Sequence, residues 1–156
     1  MGLRFYDIDK DYLDYLHNYE NKVPKHNYEE HDKFFCGIVL EIENFKYFAP
    51  VSSFSIRQAT NMLIVDNNEV KGSLRFCFMI PVVDGVIEER DFSKEERKYR
   101  DLLEKEYKFC SENEELIREK ALKVYKIGTS YNHPLKRTCC DFKKLEEVSL
   151  LYKKTV

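Results

Sequence analysis

Tryptophan is absent from the 156 residues, glycine occurs five times and proline four times. With so little Gly and Pro, no low-complexity stretch or linker can be drawn. No apolar run approaches the roughly 20 residues that a membrane-spanning helix requires. The opening Met1-Gly2-Leu3-Arg4-Phe5-Tyr6-Asp7 has no apolar core of the secretory-leader kind, so a cytoplasmic location is expected. The five cysteines, at 36, 77, 110, 139 and 140, are odd in number and show no C-x-x-C spacing. A structural zinc site needs two spaced ligand pairs, and the four histidines (17, 26, 31, 133) do not supply them. Neither a metal nor a cofactor is therefore expected. A Gly-rich phosphate loop, a G-x-S-x-G elbow and an H-E-x-x-H helix are also missing.

What remains is a chain of one-domain length, 1–156, able to bury about 70% of its unfolded surface without staples. Hydrophobic residues make up 43% and charged ones 35%, too apolar for disorder. Lys and Arg number 26 and Asp and Glu 28, but the near-balance hides a gradient. Residues 1–92 carry a net −6, residues 93–156 a net +4 and residues 118–156 a net +6. A local basic region attracts polyanions even on a near-neutral protein, although Lys-rich helices with solvated faces give the same count.

The pattern divides into three zones. Leu3–Ile8 alternates as a strand, and Asp9 can cap a Tyr- and Leu-bearing helix to about Asn18. A polar loop over residues 21–33 holds Lys22-Val23-Pro24. Phe34–Ile42 and Lys46–Ser53 read as a hairpin about Glu43-Asn44, with further strands at Met62–Val65 and Leu74–Val82. Three hydroxyl-x-x-carboxylate boxes, at Ser93, Ser111 and Thr138, announce helices near 93–110, 112–127 and 140–152, with Gly128 as a stop for the second. Helix, strands, then helices predict an α+β fold, a mostly antiparallel sheet with helices packed on it.

Acidic pairs such as Glu88-Glu89 and Glu114-Glu115 fall on turns or first helical turns, where they complement the helix dipole. Ser52-Ser53 ends a strand, Arg57 follows and Lys33 precedes the partner strand. Pairing across the 43–45 turn sets 33 opposite 54, so hydroxyl, ammonium and guanidinium can converge on a phosphate. A turn serine beside a solvated lysine is the alternative reading.

Phe35–Ile42 and Lys46–Ser53 together resemble the ToxN/AbiQ family of type III toxin–antitoxin endoribonucleases. So do Lys22-Val23-Pro24, Phe78-Met79-Ile80-Pro81, the run Tyr99–Phe109, Lys120–Tyr125 and Thr138–Phe142, in order along nearly the whole chain. The S-S-F pattern at Ser52-Ser53-Phe54 is similar to a CptN-like subgroup. The resemblance implies a twisted antiparallel sheet related to the MazF/Kid toxins. It also implies metal-independent cleavage of single-stranded RNA, both cellular mRNA and the precursor of the toxin's own antitoxin. A repeated pseudoknot antitoxin RNA would inhibit the toxin within a closed toxin–RNA assembly. The family's serine, the hydroxyl before it and its lysine map to Ser53, Ser52 and Lys33. Where members commonly carry a lysine two positions after the serine, this chain has Ser55, and Arg57 is the nearest cation.

The 2′-OH would then attack its own phosphate, giving 2′,3′-cyclic phosphate and 5′-OH ends. Lys33, Ser52, Ser53 and Arg57 are the catalytic candidates, and the loop residues His26, Tyr28 and His31 the candidate bases. Lys22, Lys120, Lys123, Lys143 and Lys144 would hold RNA, with Tyr and Phe available for stacking. The alternatives are a non-catalytic RNA- or DNA-binding module using the basic C-terminal helices, or a protein-interaction module with an aromatic surface.

Overall fold

A computed structural model of the chain describes residues 2–25, 27–28 and 31–153, and of residues 27, 28, 31 and 32 the backbone alone. Glu43 and Asn44 take φ of 49° and 72°, and Asn67 and Asn68 take 50° and 64°. Such positive-φ pairs make two-residue turns whose twist suits antiparallel strands, and Asn tolerates the conformation well. Two hairpins result: β4 (Phe35–Ile42) with β5 (Phe45–Ser52), and β6 (Asn61–Asp66) with β7 (Glu69–Arg75). The remaining strands are β1 (Arg4–Ile8), the short pair β2 (Asn27–Tyr28) and β3 (His31–Asp32), β8 (Ile80–Val82) and β9 (Ile87–Glu89). Helices are α1 (Lys10–Tyr19), α2 (Arg97–Glu112), α3 (Glu114–Thr129) and α4 (Phe142–Ser149). The fold is α+β, as the order of elements predicts. Its main sheet runs β6-β7-β5-β4-β1-β9, with β8 also on β5, and every pairing is antiparallel.

One irregularity matters for the site. Ile42 faces Phe45 and Leu40 faces Tyr47, but Cys36 faces Ala49 and Phe35 faces Pro50, so β4 spends two extra residues between Leu40 and Cys36. Continued outward, the register sets Lys33 opposite Ser52, not opposite residue 54. Gly37 sits within this stretch because a Cβ there would lie 2.3 Å from the Phe48 ring.

The structure corrects several boundaries. Leu74–Val82 is not one strand: a 3-10 turn at Phe76–Phe78 separates β7 from β8. Ser93 does not start a helix, because its N–H and Oγ both bond Asp91 Oδ1 (3.0 and 2.6 Å) in a short 3-10 turn. α2 begins four residues later, where the Glu96 side chain accepts from Lys98 N–H. Ser111 lies inside α2, and Asn113 forms the α2–α3 junction. Asp141 caps α4 by accepting from Lys144 N–H at 3.2 Å, so this helix starts two residues later than its box suggests. Gly128 stops nothing, since α3 continues to Thr129; the Phe142 ring would meet a Cβ there at 2.4 Å.

The core is aromatic. Tyr12, Tyr47, Phe5, Phe35, Phe76 and Phe142 are among the largest fully buried side chains. Phe142 stacks on Tyr125 at 5.6 Å and meets Tyr47 edge-on at 5.7 Å, joining α4, α3 and β5. The five cysteines are free and buried, consistent with packing roles for Cys36 and Cys77. Among the described residues no helix is long and apolar enough to cross a membrane.

Candidate active site

At the open end of the β4–β5 hairpin lies a cleft of about 430 Å³. Its floor comes from Lys33, Pro50 and Ser52, its side from Arg75 and Phe78, and its opposite wall from His17 and the segment after α1. Val23, 1% exposed, anchors that wall segment in the core. β7 reaches the floor because Ser52 pairs with Ser73. Side chains of a strand alternate, so Arg75, two residues on, shares the face of Ser73 and Ser52.

The half-buried Ser52 accepts a hydrogen bond from Phe54 N–H on its Oγ at 3.0 Å, which leaves its hydroxyl hydrogen free to donate. Ser53 is exposed and does not line the cleft, as expected when successive strand residues point to opposite sides. His17 Nδ1 lies 2.8 Å from the Val23 carbonyl. A carbonyl only accepts, so Nδ1 carries the hydrogen and Nε2 of the neutral ring is a proton acceptor. The Arg75 guanidinium carbon lies 4.1 Å from the ring centre of Phe54 and 4.6 Å from that of Phe78, and its Nη2 donates to Gln58 Oε1 at 3.2 Å.

Beneath this floor sits Glu106 of α2, 4% exposed. A Cβ on Gly72 would lie 2.5 Å from the Ser52 carbonyl oxygen and 2.8 Å from Glu106 Oε2, so glycine lets carboxyl and strand end approach. Burial pushes the Glu106 carboxyl up to about 8.

The other cations lie elsewhere. Arg57 is exposed and sits beside α3: burial, with the nearby charges of Lys123 and Arg57, holds the Lys120 amine below its ordinary range. The structure thus groups Arg57 with Lys120 and Lys123, not with Lys33 and Ser52. Lys143 and Lys144 project from α4, the first 3.5 Å from Glu146 and the second 5.7 Å from the Tyr19 ring centre. Lys22 lines the first cleft and also a second one of about 410 Å³, bordered by Tyr131, His133, Lys136 and Arg137. Tyr131 is 96% exposed. Among the described residues no three His, Cys, Asp or Glu side chains gather as a metal site would require. Of the candidate bases, His26 lies outside the described residues, as do the side chains of Tyr28 and His31.

Sequence reasoning passed over His17, Arg75 and Tyr131. Arg75 was hidden by reading Leu74–Val82 as a single strand. His17 was hidden because its partner carbonyl is brought to it by a loop.

Residues 4–149 match the family described as toxin ToxN of type III toxin–antitoxin systems. The chain is 34% identical to the endoribonuclease ToxN of Bacillus thuringiensis subsp. kurstaki, covering 96% of this chain and 84% of that one. It is 29% identical to the endoribonuclease AbiQ of Lactococcus lactis subsp. lactis, over 99% of this chain and 91% of the relative. A solved toxin from work on selective toxin inhibition by a non-coding RNA pseudoknot superposes with a TM-score of 0.89 at 32% identity, covering 99% of this chain and all of that one. The structure of AbiQ, a lactococcal anti-phage endoribonuclease, superposes with a TM-score of 0.86 at 28% identity, over 99% of this chain and all of the other.

Proposed function

Because the chain belongs to the ToxN toxin family of type III toxin–antitoxin systems, we propose that it is an endoribonuclease that cuts single-stranded RNA and is silenced by an antitoxin RNA. The observation that carries this reading is the meeting of Lys33 and Ser52, from two strand ends, in one cleft of a chain whose relatives are endoribonucleases.

In this reading residues 1–156 act as one catalytic domain in the cytoplasm, on mRNA and on the antitoxin precursor. The reaction is metal-independent. The substrate's 2′ oxygen bonds to the adjacent phosphorus and the bond from phosphorus to the 5′ oxygen breaks, leaving 2′,3′-cyclic phosphate and 5′-OH ends. His17 Nε2 takes the 2′ proton. Lys33 balances the charge of the phosphorane, and its ammonium hands a proton to the leaving 5′ oxygen. Ser52 donates its hydroxyl hydrogen to a phosphate oxygen, and Ser53, exposed at the strand exit, bonds the RNA lying across the cleft. Arg57, Lys120 and Lys123 form one basic strip, and Lys143 and Lys144 add two cations on α4. These hold the antitoxin, a repeated pseudoknot RNA, in a closed toxin–RNA assembly; a solved relative comes from work on toxin inhibition by a non-coding RNA pseudoknot, which supports the RNA partner.

The test is incubation of purified, RNA-free protein with a long single-stranded RNA in EDTA, comparing the parent with Lys33→Ala, Ser52→Ala, Ser53→Ala and His17→Ala and identifying the product ends. Discrete cuts ending in cyclic phosphate, reduced on the order of 100-fold or more in the variants, are expected. Intact RNA with tight, salt-dependent binding by all five proteins would leave a binding module instead.

A further inference from the structure

We propose that Arg75 is the cleft's phosphate-binding guanidinium, a catalytic residue that grips the non-bridging oxygens of the scissile phosphate; the inference rests on the ribonuclease reading. The chain holds a natural comparison in Arg90. Both arginines lie over aromatic rings, Arg90 at 5.2 Å from the ring centre of Phe34. Arg90, however, is neutralised: Nη1 bonds Asp7, Nη2 bonds Glu95 at 2.9 Å, and its side chain is 8% exposed. That is a structural arginine, its charge spent inside the protein.

Arg75 is built differently. Phe54 and Phe78 fix the plane of its guanidinium, and its polar partner among the described residues is the neutral Gln58 amide oxygen. None of the ion pairs among the described residues involves it. Its buried Nε has no hydrogen-bond partner among the described residues, a feature shared with the Nε of Arg90, so what sets Arg75 apart is that no carboxylate pairs with its guanidinium among the described residues. A guanidinium without a carboxylate partner keeps its charge for an anion entering the cleft beside Ser52 and Lys33. Guanidinium is the group suited to the task, because its fork matches two phosphate oxygens and stacking removes the freedom otherwise lost on binding. Of the wall's lysines, Lys22 is 3.7 Å from Glu20 and already paired, and Lys25 is exposed. Arg57, the nearest cation in sequence to the serines, stands with the α3 lysines. Arg75 thus supplies from β7 the second cation that the segment after Ser53 does not bring to the cleft. It keeps its proton throughout and balances charge as the phosphorane forms and collapses.

The experiment is single-turnover cleavage of a long single-stranded RNA by the parent, Arg75→Lys, Arg75→Ala and Lys10→Ala, with affinity measured on a 2′-O-methyl RNA that cannot be cut. Arg75→Ala is expected to lose on the order of 100-fold in rate, and Arg75→Lys at least tenfold. Affinity should stay within a few-fold, and added methylguanidinium should restore part of the Arg75→Ala rate. Lys10→Ala, which removes an exposed cation paired with Asp14 on α1, should cleave and bind as the parent does. Rates for both Arg75 variants within twofold of a parent that cleaves would overturn the assignment while leaving the ribonuclease reading intact. A loss of rate tracking a fall in melting temperature, without chemical rescue, would overturn it too. A parent that leaves RNA uncut overturns the ribonuclease reading itself, and the assignment falls with it.

Discussion

The hydroxyl of Tyr47 donates to Oε2 of Glu146 at 2.7 Å, and the Tyr125 hydroxyl donates to the same oxygen at 2.7 Å. One carboxylate of α4 therefore ties β5 to α3 in an interior where Glu146 is 5% exposed. Removing it leaves the buried Tyr125 hydroxyl without that acceptor and Tyr47 with only the Phe142 carbonyl at 3.5 Å, each a loss of about 1–3 kcal/mol. Glu146→Ala is expected to destabilise the fold by on the order of 3 kcal/mol, and Tyr47→Phe by about 1, since Tyr125 still serves the carboxylate. Urea titrations of the three proteins check this; equal midpoints for parent and Glu146→Ala would refute it.

Glu106 sets a pH dependence of stability. Its folded carboxyl stands at about 8 against an ordinary 4.5, raised by burial. Between those values the unfolded chain has released a proton that the folded protein keeps, so stability falls as pH rises from about 4.5 to about 8. Glu106→Gln should match the parent near pH 4.5 and exceed it at pH 8 by on the order of 3 kcal/mol. Thermal melts at both pH values decide it, and a parent that gains stability over this window relative to Glu106→Gln would reverse the sign.

The strip of Arg57, Lys120 and Lys123 should report itself through salt. For single-stranded RNA each phosphate contact contributes about −0.7 to the slope of log K against log salt. Replacing Lys120 and Lys123 by Gln together is expected to flatten that slope by about 1.4. Titrations of 2′-O-methyl RNA at several salt concentrations measure it. An unchanged slope would place the RNA elsewhere.

Tyr131 offers an exposed ring at the rim of the second cleft. Stacking on such a ring contributes about 1–3 kcal/mol per base. Tyr131→Ala is therefore expected to weaken single-stranded RNA binding by about tenfold with no change in melting temperature, and Tyr131→Phe to bind as the parent does.

The hairpins and most helices were legible because local chemistry decides them. Glu43-Asn44 and Asn67-Asn68 accept the turn conformation, and the box at Thr138 announces α4 within a few residues of its start, although Asp141 is the residue that caps it. The misread boundaries share a cause, a competing partner that the sequence does not display. Asp91 captures Ser93, and the apolar run through Phe76–Phe78 conceals a turn. Gly128 looks like a terminator yet serves the ring of Phe142. In the cleft, Lys33 and Ser52 could be nominated from strand ends alone. Which residues face them could not, because that depends on a two-residue register offset in β4 and on a β7 whose end was misplaced.

Glu20 gives the two clefts a common latch. Its Oε2 accepts from Lys22 N–H at 3.1 Å and its Oε1 from Asp141 N–H at 2.8 Å, so one carboxylate pins the wall shared by both clefts to the cap of α4. Neither hollow can widen at that wall without loosening the grip on the other side. A shift of that wall is thus felt, through two hydrogen bonds, at the start of α4, where Lys143 and Lys144 begin.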